Sequence, residues 1–334
     1  MADAFIFAAN AVLPIVLTIV FGYFLKRIKL LTPEFLDVGN KLTFRVLLPA
    51  MLFYNVYNID SLRDVNFVFV LYGLIAVIVI CLLGIVLTCL FTKDNAKRGS
   101  LAQAMFRSNY AIIGLPLAES LFGAEGAAAA GVMSAFCVPL FNILGVTVLS
   151  IYNGDNKGGK LNVKKILLGI VKNPLILGTV AGIAALGIRE LLVACDISFR
   201  LTDIEFLYKT LGNIKSICTP FALIVLGGRF EFSAVKRIWK EIVFGTAMRT
   251  VAVPVLGLGG ALLLKQFVYP DLSGAHFATY IGVFATPVAV ASAIMAKEMK
   301  ADDELAGQLV VWTSLVSTVT IFAYVTILRA IGIF

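Results

Sequence analysis

Two polar interruptions divide otherwise apolar stretches, one in each half of the sequence. The first reads Arg107-Ser-Asn-Tyr-Ala-Ile-Ile-Gly-Leu-Pro116, and the second reads Ala285-Thr-Pro-Val-Ala-Val-Ala-Ser292. Where such a segment breaks a helix, free N–H groups and the positive end of the helix dipole become available to an anionic group such as a carboxylate. The residues around the two breaks are therefore candidates for a binding site.

The first break holds the side chains best suited to bind a carboxylate. Asn109 has an amide that donates or accepts a hydrogen bond without the cost of a buried charge. Arg107 could add a positive charge, and Ser108 could add a hydroxyl group. In the alternative interpretation, Asn109 only caps a half-helix and Arg107 extends toward a membrane surface. The sequence leaves both interpretations open.

The second break offers hydroxyl groups rather than an amide. Thr286 and Ser292 could bind a substrate, or they could bond backbone carbonyl groups that the break leaves free. Pro287 interrupts this segment as Pro116, two residues after Gly114, interrupts the first. We include both prolines among the substrate-binding candidates and assign Gly114 to the structure of the break.

These segments lie in a chain whose composition is that of an integral membrane protein. Of its 334 residues, 60% are hydrophobic and only 14% are charged, whereas about a quarter are charged in a typical soluble domain. The apolar runs have the length of helices rather than of the roughly 10-residue strands of a membrane barrel. The net charge of +8 does not indicate nucleic-acid binding, because the basic residues lie in short loops rather than in one stripe. We expect an all-α protein in a lipid bilayer.

The hydropathy pattern predicts ten transmembrane helices, each near or above the ~20 residues that cross a bilayer. The expected spans are 5–25, 39–58, 66–91, 99–122, 126–151, 165–188, 207–228, 240–264, 275–296 and 304–332. Lysine and arginine concentrate in the loops after spans 1, 3, 5, 7 and 9, which are therefore expected to face the cytoplasm. Both termini would then lie on the non-cytoplasmic side of the cell membrane. The first segment lacks a basic leader and a small-residue cleavage site, so we expect it to be retained as a helix.

A polar, glycine-rich segment divides the chain near its midpoint. We interpret 153–164 as a cytoplasmic linker between a first five-helix repeat, 1–152, and a second, 165–334. The repeats are expected to have opposite orientations because each holds an odd number of spans. Residues that recur in the same order in both halves support the repeat: Pro14 with Gly22 and Pro174 with Gly182, then Pro49 and Pro220.

Several short motifs, taken in order, resemble the auxin efflux carrier family in its bacterial form. They are Asn109 with Gly-Leu-Pro116-Leu in span 4, Lys172-Asn173-Pro174 at span 6, Ala247-Met248-Arg249 in span 8 and Ala296-Lys297-Glu298 at the end of span 9. The resemblance implies a sodium/proton-antiporter-like fold in which spans 1, 2, 6 and 7 form a scaffold. Spans 3–5 and 8–10 would form a transport domain, with broken helices 4 and 9 crossing near the membrane midplane. It also implies a homodimer formed through the scaffold helices.

Two departures from the plant members of that family bear on the substrate. In those members the Asn-Pro of span 6 is followed by a second Asn that faces the substrate, and here Leu175 takes that position. Ser292 replaces a proline of the plant members at the span 9 crossover. A site with one amide fewer and an arginine nearby suits a small mono- or dicarboxylate, auxin-like or malate-like. We expect a secondary carrier that moves it by an elevator-type or rocking movement.

The expected interior of the spans contains no acidic residue, and Glu119, near the outer end of span 4, comes closest. Antiporters that use a broken-helix crossover generally keep a carboxylate at the midplane. Its absence favours uniport driven by the membrane potential. A sodium- or proton-coupled permease remains an alternative, as do a channel and a ligand sensor that transports nothing.

Other chemistry finds little support in the sequence. His276 is the only histidine, and the five cysteines lack metal-like spacing, so we expect neither a metal site nor a cofactor. No pattern for nucleophilic catalysis is present, and we do not expect an enzyme. Arg249 is expected to pair with helix-end carbonyl groups, and Pro49 and Pro220 are expected to bend the scaffold helices beside the site.

Overall fold

Helices form the regular structure of the described part of the chain. A computed structural model describes residues 2–58, 66–152, 168 and 171–334, with side chains from residue 13 onward. The expected linker, 153–164, lies outside these ranges. The α-helices are α1 (Ala2–Arg27), α2 (Pro33–Leu42), α3 (Leu48–Tyr57), α4 (Phe67–Phe91), α5 (Asn95–Phe106), α6 (Leu115–Ile151), α7 (Pro174–Ala194), α8 (Glu205–Arg229), α9 (Phe232–Arg237), α10 (Trp239–Ala247), α11 (Val253–Phe267), α12 (Gly274–Ala285), α13 (Val290–Glu298) and α14 (Asp303–Ala330).

Proline positions explain three short π-helical segments. Thr43–Leu47, Tyr110–Gly114 and Met248–Ala252 each run directly into the next α-helix, and each ends two residues before a proline. Proline has no N–H and its ring crowds the carbonyl group four residues earlier, so the preceding turn widens. The pairs α2–α3 and α10–α11 are therefore continuous helices with a widened turn. Pro220, in contrast, lies inside α8 without such a segment.

Six helical segments among the residues searched are long and apolar enough to cross a membrane. They are Phe67–Phe91, Tyr110–Ile151, Pro174–Ala194, Glu205–Arg229, Trp239–Phe267 and Asp303–Ala330. The second of these changes direction at Gly123, where φ is 57° and ψ is −137°. A positive φ of this kind favours glycine because it has no Cβ. The kink falls between the expected spans 4 and 5.

α7 begins at Pro174, within the expected sixth span, 165–188. A helix begins at Pro174 because Asn173 caps it, with the Asn173 side chain accepting a hydrogen bond from the N–H of Leu175 at 2.9 Å. Proline in the first helical turn has no N–H to leave unpaired. The helix then continues to Ala194, past the expected end.

The buried apolar residues form two main cores. The first contains residues of α4, α5, α6, α11, α12 and α14, including Phe69, Met105 and Phe284. The second lies chiefly where α1, α2, α3, α7 and α8 meet α5, α6, α13 and α14. Tyr110, after the first break, belongs to the first core, whereas Val288, within the second break, belongs to the second. The broken segments therefore lie between the two cores.

Candidate functional site

The two broken segments meet and bond to each other. The backbone N–H of Asn109 donates to the carbonyl oxygen of Pro287 at 2.8 Å, and the N–H of Ala289 donates to the carbonyl oxygen of Arg107 at 3.2 Å. Ser108 and Val288, which lie between these two bonds, pair as an isolated antiparallel β-bridge. Each break thus satisfies some of the backbone groups that the other leaves free, and together they form one crossover.

Arg249 holds the ends of both helices that lead into the crossover. Its guanidinium donates to the carbonyl oxygens of Thr286 at 2.8 Å, Met105 at 2.9 Å and Val283 at 3.0 Å. The side chain is completely buried. Met105 lies in the last turn of α5, and the other two carbonyl groups lie at the end of α12. The positive charge therefore meets the negative ends of two helix dipoles.

Two glycines allow the broken segments to touch. A Cβ added to Gly114 would lie 2.8 Å from the Cα of Gly282, and a Cβ added to Gly282 would lie 2.8 Å from the Cα of Gly114. Tyr110 packs against the same contact, and its hydroxyl group donates to the carbonyl oxygen of Ala130 at 2.8 Å. Any larger residue at either glycine would push the two segments apart.

A cavity lies beside the crossover, bordered by α3, α6, α7, α8 and the start of α13. About 680 Å³ within it is free of protein atoms, counting the part that opens to solvent. Much of the lining is apolar, and the amide, hydroxyl and guanidinium side chains gather around the first break and its neighbours. Those side chains are Asn55, Arg107, Ser108, Asn109, Tyr110, Asn142 and Thr219.

Among the residues that the structure describes, Arg107 is the only Lys, Arg, Asp or Glu that lines this cavity. It is 5% exposed, so it does not extend to a membrane surface. Its Nη2 donates to Oδ1 of Asn142 at 2.7 Å, and its Nη1 donates to the carbonyl oxygen of Phe141 at 3.2 Å. None of the described ion pairs includes it. A buried charge is costly unless it is paired, so the arrangement favours an anionic ligand.

Three polar side-chain atoms at the cavity are buried and have no hydrogen-bond partner among the described residues. They are Oγ of Ser108, Nδ2 of Asn109 and Nδ2 of Asn142. A buried donor without a partner costs about 1–3 kcal/mol. All three atoms can donate, so a ligand with acceptor oxygens would remove these costs.

Two helix N-termini border the same space. α13 begins at Val290, and no side chain caps its first turn. The π-helical segment that follows the first break begins at Tyr110, also without a side-chain cap. Both residues line the cavity. N–H groups in a first helical turn lack partners within the helix and carry partial positive charge, which favours an anion further.

The candidate residues from the sequence fall into two groups around the crossover. Those that line the cavity are Arg107, Ser108, Asn109 and Leu175. Those that do not line it are Pro116, Thr286, Pro287 and Ser292. Within the second group, the two hydroxyl groups have different surroundings. The Thr286 hydroxyl donates to the carbonyl oxygen of Gly282 at 2.7 Å, whereas the Ser292 hydroxyl is buried without a partner.

Sequence reasoning did not identify Asn142, which lies at the cavity beside Arg107. A signal was present, because Asn142 is an amide inside a long apolar helix, and a polar residue at membrane depth is a functional candidate. Asn55 and Thr219 were also missed. The sequence alone does not show which face of α3, α6 or α8 points toward the break, so these residues could not be separated from other polar residues in spans.

Ion pairs join several helices at one end of the molecule, which we call the basic end. Arg229 bonds Asp37 at 2.8 Å and Asp303 at 3.1 Å. Lys297 lies 3.7 Å from Asp303. These contacts connect α2 and α8 to α13 and α14. Because they cross between the elements on either side of the cavity, they hold those elements together at this end.

Hydrogen bonds from two side-chain amides also join elements at the basic end. Nδ2 of Asn40 donates to Oε1 of Glu298 at 2.9 Å, and Nε2 of Gln308 donates to the carbonyl oxygen of Glu231 at 2.9 Å. At the other end, the hydroxyl of Tyr208 donates to Oδ1 of Asn58 at 2.6 Å. That bond joins α8 to the end of α3 and does not reach α13 or α14.

Comparison with known proteins identifies the family. A family model described as membrane transport protein matches residues 7–325. An uncharacterised transporter of Methanothermobacter thermautotrophicus is 21% identical over 333 residues, which cover 95% of this chain and 97% of that protein. An uncharacterised transporter of Methanocaldococcus jannaschii is 27% identical over 236 residues, which cover 68% of this chain and 70% of that protein. The resemblance seen in the motifs is thereby confirmed, and the chain belongs to the membrane transport protein family of auxin efflux-like carriers as a multi-pass membrane transporter.

Proposed function

We propose that this transporter is a secondary carrier of a small organic anion, a mono- or dicarboxylate. The observation that carries the proposal is the buried guanidinium of Arg107, which lines the cavity and is paired with an amide and a carbonyl group rather than a carboxylate. The substrate's carboxylate would supply the missing negative charge. Asn109 and Ser108 would donate hydrogen bonds to it, and Leu175 would contact its apolar part.

The remaining candidates would shape the crossover. Pro116 and Pro287 would keep the segments unwound, and Ser292 would lie close to the site without direct contact. Gly114 and Arg249 support this assignment through the close approach of the segments and the three carbonyl contacts. Asn173 and Pro174 would set the start of α7 and so the position of Leu175.

We further propose ten spans in two inverted repeats, 1–152 and 165–334. The spans would be α1, α2–α3, α4, α5 with the first part of α6, the rest of α6, α7, α8, α10–α11, α12–α13 and α14. The order of elements supports this assignment, because each half places a broken helix directly before its last long helix. The concentration of basic residues would put the basic end in the cytoplasm. Both termini would then face the other side of the cell membrane.

The two cores support a division into a scaffold and a transport domain. The scaffold would consist of α1, α2–α3, α7 and α8, and the transport domain of α4–α6 and α10–α14. One core lies wholly among transport-domain helices, whereas the other lies where the two groups meet. The cavity lies at that boundary, so an elevator-type movement of one group against the other would carry it across the bilayer. A homodimer through the scaffold would hold the stationary part.

We propose uniport driven by the membrane potential. The described residues of the cavity lining include no carboxylate that could carry a coupling proton or sodium ion. Moving one negative charge is worth roughly 2.3 kcal/mol per 100 mV, which would drive the anion outward in a cell with a negative interior. A sodium- or proton-coupled carboxylate permease is the alternative, and a strict requirement for either ion would favour it.

Ligand-induced stabilisation tests the substrate class. The detergent-solubilised full chain would be heated with sodium acetate, benzoate, malonate or malate, and with acetamide or benzamide as neutral controls. A ligand that binds the folded state raises the Tm by an amount that grows with the logarithm of its concentration above Kd. At least one carboxylate should raise the Tm while the amides do not. Stabilisation by none of the carboxylates, or equal stabilisation by the amides, would contradict the proposal.

A further inference from the structure

Asn142 carries an inference that rests on the proposed function and goes beyond it. Its side chain is 1% exposed. Oδ1 accepts a hydrogen bond from Nη2 of Arg107 at 2.7 Å, and Nδ2 is buried without a partner beside the cavity. A guanidinium can only donate hydrogen bonds. Arg107 therefore holds the oxygen of the amide, which leaves the NH2 group for a ligand.

We propose that Asn142 is a specificity-determining residue that selects the ionised form of a carboxylate. Its NH2 group, the NH2 group of Asn109 and the guanidinium of Arg107 are three sets of donors at one cavity. A carboxylate accepts from all of them, because both of its oxygens are acceptors. A carboxylic acid would place its own O–H against these donors, and an ammonium group would add a repulsive charge.

An aspartate at this position keeps Arg107 in place and changes the donors and the charge of the site. Asn142→Asp keeps the shape of the side chain and the oxygen that Arg107 contacts, and it strengthens that contact by making it an ion pair. It also removes the NH2 donor and cancels the positive charge of the site. Weaker binding by Asn142→Asp would therefore come from the lost donor and the cancelled charge and not from a displaced Arg107.

The test compares binding of sodium acetate, benzoate, malonate and malate to the full chain in detergent by thermal shift and calorimetry. For each carboxylate that binds the unaltered chain, Asn142→Asp should weaken binding at least about 100-fold, because it removes a donor and the attraction of the site's net charge. Asn142→Leu should weaken binding about tenfold through loss of one charge-assisted hydrogen bond. Binding by Asn142→Asp within about threefold of the unaltered chain would overturn the inference.

A matched control makes the same chemical change away from the cavity. Asn66 caps α4 by accepting a hydrogen bond from the N–H of Phe69 at 3.0 Å, and its Nδ2 donates to the hydroxyl of Tyr269 at 3.2 Å. Aspartate is an equally good cap, and it can accept a hydrogen bond from that hydroxyl instead. Asn66→Asp should therefore bind as the unaltered chain does. If Asn142→Asp does not fold, unchanged binding by Asn142→Leu overturns the inference by itself. If the unaltered chain binds no carboxylate, the proposed function fails first and the inference fails with it.

Discussion

Nε of Arg249 donates a hydrogen bond to the carbonyl oxygen of Thr286 at 2.8 Å, at the point where the second helix breaks. The same guanidinium holds the end of α5 before the first break. A side chain from the continuous α10–α11 helix thus fixes both breaks relative to each other. Arg107 is also buried, but it has one carbonyl partner and one amide partner at a cavity. The different partners of the two arginines support the proposed structural role of Arg249 and the proposed binding role of Arg107.

Replacing Arg249 with lysine should destabilise the crossover. A lysine ammonium lacks the planar fork that lets one side chain reach three carbonyl groups in different directions. Loss of two bonds to a charged group predicts a decrease of about 3 kcal/mol in the free energy of unfolding. Thermal unfolding in detergent measures this as a lower Tm. Arg45→Lys, at an exposed position in Thr43–Leu47, is the control, and equal Tm values for the two variants would contradict the role of Arg249.

A methyl group at Gly114 should also destabilise the protein. The added Cβ of Gly114→Ala would lie 2.8 Å from the Cα of Gly282, and overpacking of this kind costs about 1–3 kcal/mol. Gly131→Ala is the control because its Cβ would meet nothing within 4 Å, and alanine favours a helix by up to ~1 kcal/mol. Chemical denaturation should show a lower free energy of unfolding for Gly114→Ala and an equal or higher one for Gly131→Ala. If Gly114→Ala is as stable as Gly131→Ala, the close contact is not needed.

Removing Arg229 should open the basic end. Arg229→Gln breaks the contacts with Asp37 and Asp303. A cysteine placed at Ala293, which is 4% exposed and borders a small cavity at this end, would then react faster with a maleimide, measured at that site by mass spectrometry. We expect the rate of this reaction to increase several-fold. Lys209→Gln, which removes an exposed pair with Glu205, should leave the rate unchanged. Equal rates with and without Arg229 would show that these contacts do not hold the end closed.

Transport should follow the membrane potential rather than the pH gradient. In the described part of the chain no carboxylate or histidine lines the cavity, so no such group there would change its charge between about pH 5.5 and 7.5. In proteoliposomes, a potassium diffusion potential with valinomycin should drive uptake of the carboxylate into a positive interior. Replacing sodium with choline should have no effect. Uptake that requires sodium or an imposed proton gradient would instead support the ion-coupled alternative.

The pattern of residues predicted the two breaks but not the backbone hydrogen bonds that join them. Asn109 and Pro287 could be recognised as interruptions of apolar segments, yet their 2.8 Å backbone bond depends on two helices that are distant in the sequence. The same limit explains why Arg107 and Arg249 could not be fully separated. Each is an arginine inside an apolar segment, and only the packed structure shows which carbonyl groups each one meets.

The direction of each side chain explains why the sequence could not show which other residues line the cavity. Ser108 lines the cavity and Thr286 does not, although both follow the end of a half-helix. Asn142 lies on a helix that the sequence marks only as apolar, and its importance comes from a contact with Arg107, 35 residues earlier. A pattern along one helix gives its buried face only when the neighbouring helices are known.

Counterflow tests the central claim most directly, namely that Arg107 binds the carboxylate of a transported anion. Proteoliposomes would be loaded with the unlabelled carboxylate that gives the greatest thermal stabilisation and diluted into the same compound in labelled form. The unaltered chain and the exposed control Arg329→Gln should accumulate label transiently, whereas Arg107→Gln should lower the initial rate at least about 100-fold through loss of a buried charge pair. Counterflow by Arg107→Gln at the rate of the unaltered chain, or saturable binding by the unaltered chain without any flux, would contradict the claim.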